Sequence, residues 1–176
     1  NKPVEEVAVV EVETPKREEN PIPDPAPEPA FRDRSGDAAL SNDFAGNRGR
    51  MPWPVNRGQI VEPFGISKHP ILGIEINNDG VGIATNKGSS AKAVFDGEVS
   101  QIISVPGGNR TVLLRHGKYF TVYGNLSFVS VKKGDKVKRG QDLGRIYTDS
   151  NGDTILNFQL RNGTSKQNPE IWLNAN

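Results

Sequence analysis

The chain has 176 residues, 34% of them hydrophobic and 24% charged, which suits one globular domain with a tail and falls short of two full-sized domains. With no Cys it excludes a disulfide framework, a thiolate metal site and a cysteine nucleophile, and no apolar run approaches bilayer-spanning length. The formal net charge of +1 divides unevenly, because residues 1–30 hold three basic residues (Lys2, Lys16, Arg17) against eight acidic ones, leaving that stretch at −5 and the remainder at +6.

A mildly basic remainder suits an anionic partner such as a cell-wall polymer or an acidic protein surface. Nucleic acid is not expected, since no basic run is interleaved with aromatics. The start at Asn1 shows neither a basic nor an apolar signal region, so the chain reads as a processed or partial sequence.

Residues 1–30 contain seven of the 13 prolines and no aromatic residue. The alternating prolines of residues 20–29 block helix and favour extended polyproline II, so residues 1–36 read as a Pro/Glu-rich linker. Within it Val7-Ala8-Val9-Val10-Glu11-Val12 has strand propensity but is expected to remain unpaired. Residues 37–50 form a lead-in, in which residues 38–44 are expected to make one or two helical turns that dock Leu40 and Phe44 without joining the core.

From Met51 to residue 176 the pattern becomes short β-branched runs punctuated by Gly, Pro, Asn and Asp, which predicts an all-β, mostly antiparallel domain. Strands are expected over 58–61, 73–76, 80–85, 91–95, 97–105, 111–116, 119–126, 143–147 and 154–161. Gly107-Gly108 should supply positive φ in a hairpin joining residues 101–105 to 110–114. Val112, Leu114, Tyr119, Thr121 and Tyr123 should then share one face. Residues 131–144 carry Gly-centred turns around a short strand, with Val131, Val137 and Leu143 inward and the basic residues outward. Such an elbow occurs in barrel-sandwich hybrids, and a carrier reading would make Lys136 an acceptor of biotin or lipoate. Acceptor lysines sit at an exposed hairpin tip, whereas Asp135-Lys136-Val137 lies within a strand flanked by Gly turns, which argues against that reading.

Taken in order, Gly80-Val81-Gly82-Ile83-Ala84, residues 93–99, Arg115-His116-Gly117, Tyr123-Gly124-Asn125-Leu126, the elbow, and Asn168-Pro169-Glu170-Ile171-Trp172-Leu173 resemble the lysostaphin-like (LytM) peptidoglycan endopeptidase family over roughly residues 51–174. The resemblance implies antiparallel sheets of the LytM, barrel-sandwich hybrid type. It also implies a zinc held by a His and an Asp of one segment and the second His of an H-x-H pair, with an open position for water. Here Asn78, Gly82 and Asn157 stand at the three ligand positions. Asn125 replaces the neighbouring His of Y-x-H-L, and Ile155 replaces the first His of the pair. An Asn amide oxygen is a weak zinc donor and Gly82 offers none, so the expectation is a site without zinc and without catalysis.

His116 reads as a satisfied turn residue and His69 as part of a loop near the site's rim. The lead-in from Asn47 through Val55, with Met51-Pro52-Trp53-Pro54, is similar to the opening of EnvC-like murein hydrolase activators, a degenerate subgroup of the family. That likeness implies a partner protein, a peptidoglycan amidase, and an exported, periplasmic or cell-envelope location. The expected partner groove comprises Asn78, Gly82, Arg115, Tyr123, Asn125, Asn157, Gln159 and Arg161, with Asn supplying uncharged donors and acceptors. Two alternatives stand beside it: a zinc endopeptidase with substituted ligands, and a noncatalytic peptidoglycan-binding module.

Overall fold

The computed structural model describes residues 36–174, so the expectations for the Pro/Glu-rich stretch and for Val7 through Val12 lie outside the described residues. One α-helix, α1 (Asp37–Gly46), precedes twelve strands. These are β1 (Gly58–Glu62), β2 (Gly65–Lys68), β3 (Glu75–Asn78), β4 (Val81–Thr85), β5 (Ser90–Lys92) and β6 (Gly97–Ser104). They continue with β7 (Arg110–His116), β8 (Tyr119–Val129), β9 (Lys136–Val137), β10 (Asp142–Ile146), β11 (Thr154–Asn162) and β12 (Ser165–Gln167). A 3₁₀ turn at Pro169–Ile171 follows, its first residue capped by Asn168, whose side chain accepts from the Glu170 N–H.

The principal sheet runs β1-β4-β11-β8-β7-β6-β9, with β12 beside β11 and with β10 bridging β5 and β8; β2 and β3 form a separate hairpin. All these pairings are antiparallel, as the all-β reading requires. The centre is β8, flanked by β7 and β11. Its residues Tyr119, Thr121 and Tyr123 face inward, and so do Val112 and Leu114 of β7. At Asn125 the backbone enters the left-handed region at φ 68°, and the inward set slips by one so that Leu126 is the next core residue. There β8 changes partner: up to Gly124 it pairs with β11, and from Leu126 onward with β10.

The elbow forms as its turns imply. Gly134 and Gly140 have φ of 91° and 82°, and Val131, Val137 and Leu143 are buried. In the β6–β7 hairpin only Gly107 takes positive φ, at 70°, so Gly108 is not the second left-handed residue that the sequence suggested. The strand expected at 91–95 is confined to β5, because Ala93 donates instead to Gln141 O and Val94 to the Tyr123 hydroxyl. Strands β2 and β12 were not legible in the chain.

Helix α1 corrects the lead-in reading. Phe44 is fully buried and stacks on Tyr119 at 4.6 Å and on His116 at 5.0 Å between ring centroids. Leu40 is only half-buried, whereas Ser41 on the same face is buried and accepts from the Lys118 N–H at 2.9 Å. The helix thus closes the Tyr119 end of the core and pins the β7–β8 turn. Burying an aromatic side chain of this size contributes on the order of 2–3 kcal/mol.

Candidate functional site

Strand pairing brings the three predicted ligand positions together. Asn157 on β11 lies opposite Gly82 on β4 and, on its other side, opposite Gly124 on β8. Asn78 ends β3, just before the turn into β4. With Glu62, Asp79 and Gln159 these residues line an open cleft of about 280 Å³.

Within the cleft the side chains differ in how firmly they are held. Asn78 donates through Nδ2 to Pro63 O at 3.0 Å. Gln159 accepts at Oε1 from Arg161 at 3.0 Å, and Asp79 pairs with Lys166 of β12 at 2.6 Å. Asn157 is exposed on the cleft floor. Gly82 is buried, and a methyl group there would stand 2.5 Å from Glu62 Oε2 and 2.9 Å from Glu62 Cβ. Glu62, on the adjacent strand β1, therefore fills the space that an acidic side chain at position 82 would need. Sequence reasoning missed Glu62; the signal was a carboxylate at the end of a strand that pairs with β4, which becomes readable only once the register is known.

Four other predicted groove residues fall elsewhere. Tyr123 is fully buried and faces away from the cleft, so it is not a groove residue. Its hydroxyl accepts from the Val94 N–H at 3.1 Å, and burial pushes its ionisation well above the ordinary tyrosine range. Arg115 is not at the rim either: it pairs with Asp37 of α1 and donates to Gly117 O. Asn125 lies outside the cleft lining and does structural work, donating to Ile155 O at 2.7 Å and accepting from Asn109 at 2.6 Å. Arg161 touches the site only through Gln159, and its Nε is buried without a partner. Asn78, Gly82, Asn157 and Gln159 are the four that converge.

Both histidines lie apart from the cleft. His69 Nδ1 accepts from the backbone N–H groups of Ile71 and Leu72, capping its own loop. His116 is fully buried, 2.7 Å from Asp96 O through Nδ1 and 2.8 Å from Thr121 Oγ1 through Nε2. A carbonyl can only accept, so Nδ1 carries the proton and Nε2 accepts from the Thr121 hydroxyl. With that hydroxyl proton committed, Tyr123, 3.2 Å away, donates to Thr121. Burial lowers the His116 pKa to about 4, against the smaller opposing effects of its bond to Asp96 O and of the Asp96 charge. His116 is satisfied, as the sequence suggested, but it is a core residue and not a surface turn.

The donor set does not fit zinc. Asn78 and Asn157 supply neutral amide oxygens, Gly82 supplies nothing, and Asp79 is committed to Lys166. Glu62 is left as one carboxylate where a tetrahedral site needs three anionic or imidazole ligands. Among the described residues no cluster of three His, Cys, Asp or Glu side chains is placed to hold a metal ion.

Residues 76–169 match Peptidase family M23, more than half of the chain. Among curated relatives, the Cell division protein DipM of Caulobacter vibrioides is 32% identical over 121 residues, covering 67% of this chain and 19% of DipM. The Murein hydrolase activator NlpD of Escherichia coli is 28% identical over 123 residues, 69% of this chain and 30% of NlpD. The Peptidoglycan DD-endopeptidase ShyB of Vibrio cholerae is 35% identical over 117 residues, 64% of this chain and 26% of ShyB. This chain thus spans less than a third of the length of each of these relatives. Among solved structures, Helicobacter pylori Csd3 superposes with a TM-score of 0.59 at 28% identity, covering 72% of this chain and 35% of Csd3.

Proposed function

This chain belongs to peptidase family M23, and from the replacement of its ligand positions we propose that it is a noncatalytic LytM-like domain that binds and activates a peptidoglycan amidase during cell-wall remodelling or daughter-cell separation. The observation that carries the proposal is the cleft in which Asn78, Gly82 and Asn157 converge with Glu62 over the glycine. A polar cleft with exposed amide groups and one carboxylate offers donors and acceptors to a peptide backbone. It offers no means of acidifying a water. The kinship with a protein named as a murein hydrolase activator supports the reading, as does the kinship with a cell division protein. The location that goes with it is the periplasm or cell envelope, where peptidoglycan is within reach. Among the described residues no helix is long and apolar enough to cross a membrane.

A dye-release assay on purified sacculi tests it, with this chain alone, a candidate amidase alone, and both together. Release only from the mixture is the expected result. Release by this chain alone that is abolished by a chelator would favour the endopeptidase reading, which the kinship with ShyB keeps in view.

A further inference from the structure

A second cleft, of about 400 Å³, opens between the lead-in and the elbow. Its walls include Pro52, Trp53, Asn56, Arg57, Lys92 and Gly140. The Trp53 indole N–H donates to Asn174 O at 3.0 Å, which fixes the ring and consumes its one polar group, so the half-buried ring, packed against the core, gives the cleft wall apolar aromatic surface. Arg57 and Asn56 are exposed, and Arg57 engages Thr85 only through its backbone carbonyl. Lys92 is half-buried and 3.9 Å from Asp142, the longest of the described ion pairs, so its ammonium is weakly committed. Among the described residues no carboxylate lines this cleft, whereas Glu62 and Asp79 line the first. Arg57 and Lys92 therefore favour an anion in this cleft, whereas the first holds the Glu62 carboxylate and an Asp79 already paired with Lys166.

An aromatic surface beside two cations and an amide suits a ligand with a broad C–H face, hydroxyl groups and a negative charge. Arg in particular matches a carboxylate through its planar fork. Gly58 lets this wall of the cleft pack directly on the core, because a methyl group there would stand 2.6 Å from Cγ2 of buried Ile83 and 2.7 Å from Cγ2 of buried Val55. We propose that this cleft is a saccharide-binding site specific for a pyranose that bears a carboxylate.

The source of such a sugar rests on the function proposed above. Hydrolysis by a peptidoglycan amidase breaks the amide C–N bond between a sugar-borne lactyl carboxyl group and its peptide. Water supplies the hydroxyl to the acyl carbon and a proton to the released amine, and the carboxylate stays on the glycan. The cleft would then hold the domain on strands that the amidase has already stripped, a product-side anchor separate from the activating cleft.

The test is a titration of the full chain, with no amidase present, followed by the Trp53 indole N–H resonance. The probes are N-acetylmuramic acid, N-acetylglucosamine, which lacks the lactyl carboxylate, and acetate, which lacks the sugar. Saturable movement of the Trp53 signal by N-acetylmuramic acid is expected, at least fivefold tighter than with either other probe. Arg57→Gln and Lys92→Gln should each weaken it at least threefold without moving the melting temperature. Equal binding of N-acetylglucosamine overturns the role of the charge, and equal binding of acetate overturns the role of the sugar. An unmoved Trp53 signal, or binding unchanged in both variants, overturns the site. Because no amidase is present, failure here leaves amidase activation standing, and failure of activation leaves sugar binding standing.

Discussion

The Glu62 carboxylate lies over Gly82 so closely that a Cβ at position 82 would be 2.5 Å from Glu62 Oε2. At position 82, therefore, two residues act against an acidic ligand: the glycine has no side chain, and the glutamate of the next strand occupies the space that one would need. Restoring ligands by Asn78→His, Gly82→Asp and Asn157→His should fail to recover zinc while Glu62 is present, because two carboxylates would compete for one space. Adding Glu62→Ala should raise bound zinc towards about one ion per chain, as elemental analysis of the purified protein would show. Equal zinc in the triple and quadruple variants would contradict this role for Glu62.

Asn157 and Asn125 should separate in mutagenesis. Asn157 is exposed on the cleft floor, so Asn157→Ala should leave stability within about 0.5 kcal/mol while lowering amidase activation at least tenfold in the dye-release assay. Asn125→Ala removes two hydrogen bonds and puts a β-carbon without local support at φ 68°. It should destabilise by about 1–3 kcal/mol in urea denaturation, and Asn125→Gly by less, since glycine tolerates the backbone.

Phe44→Ala should destabilise by about 3–5 kcal/mol, because the ring is fully buried among Phe95, His116, Tyr119 and Trp172. Thermal unfolding of a form trimmed to begin at Met51 should show a comparable loss. Trimming only residues 1–30 should leave the transition in place.

His116 gives stability a pH dependence of defined sign. Its folded pKa of about 4 lies below the ordinary 6.5, so between these values the unfolded chain binds the extra proton. The contribution is complete above pH 6.5 and is lost as pH falls towards 4, by an amount on the order of 3 kcal/mol. Urea midpoints of wild type and His116→Phe, compared at pH 7, 5 and 4, should converge as the pH falls; a constant gap would count against the mechanism.

Much of this architecture was written in local patterns. The alternation through Val112, Leu114, Tyr119, Thr121 and Tyr123 revealed the core face, and Gly134 and Gly140 marked the elbow. The family's ligand spacing led to Asn78, Gly82 and Asn157, which do converge. What stayed hidden depends on cross-strand register. Tyr123 and Asn157 lie on neighbouring strands, yet alternation turns Tyr123 into the core while Asn157 is exposed. Glu62 reaches the site only because β1 pairs with β4. Phe44 was underestimated because α1 carries only Ser41 and Phe44 buried, too few to mark a core-facing helix in one dimension.

The central position of β8 also has a kinetic meaning. Its pairing with β7 spans only a two-residue turn, Gly117-Lys118, whereas its pairing with β11 joins residues far apart in the chain, such as Tyr119 and Asn162. The β7–β8 hairpin can close early at small entropic cost, while β10 and β11 must wait for the strand on which both are templated. Folding should accordingly be slow, with Leu114 and Thr121 already structured at the barrier and Leu160 still loose. Ratios of kinetic to equilibrium destabilisation for conservative truncations at these three residues would register that sequence of events.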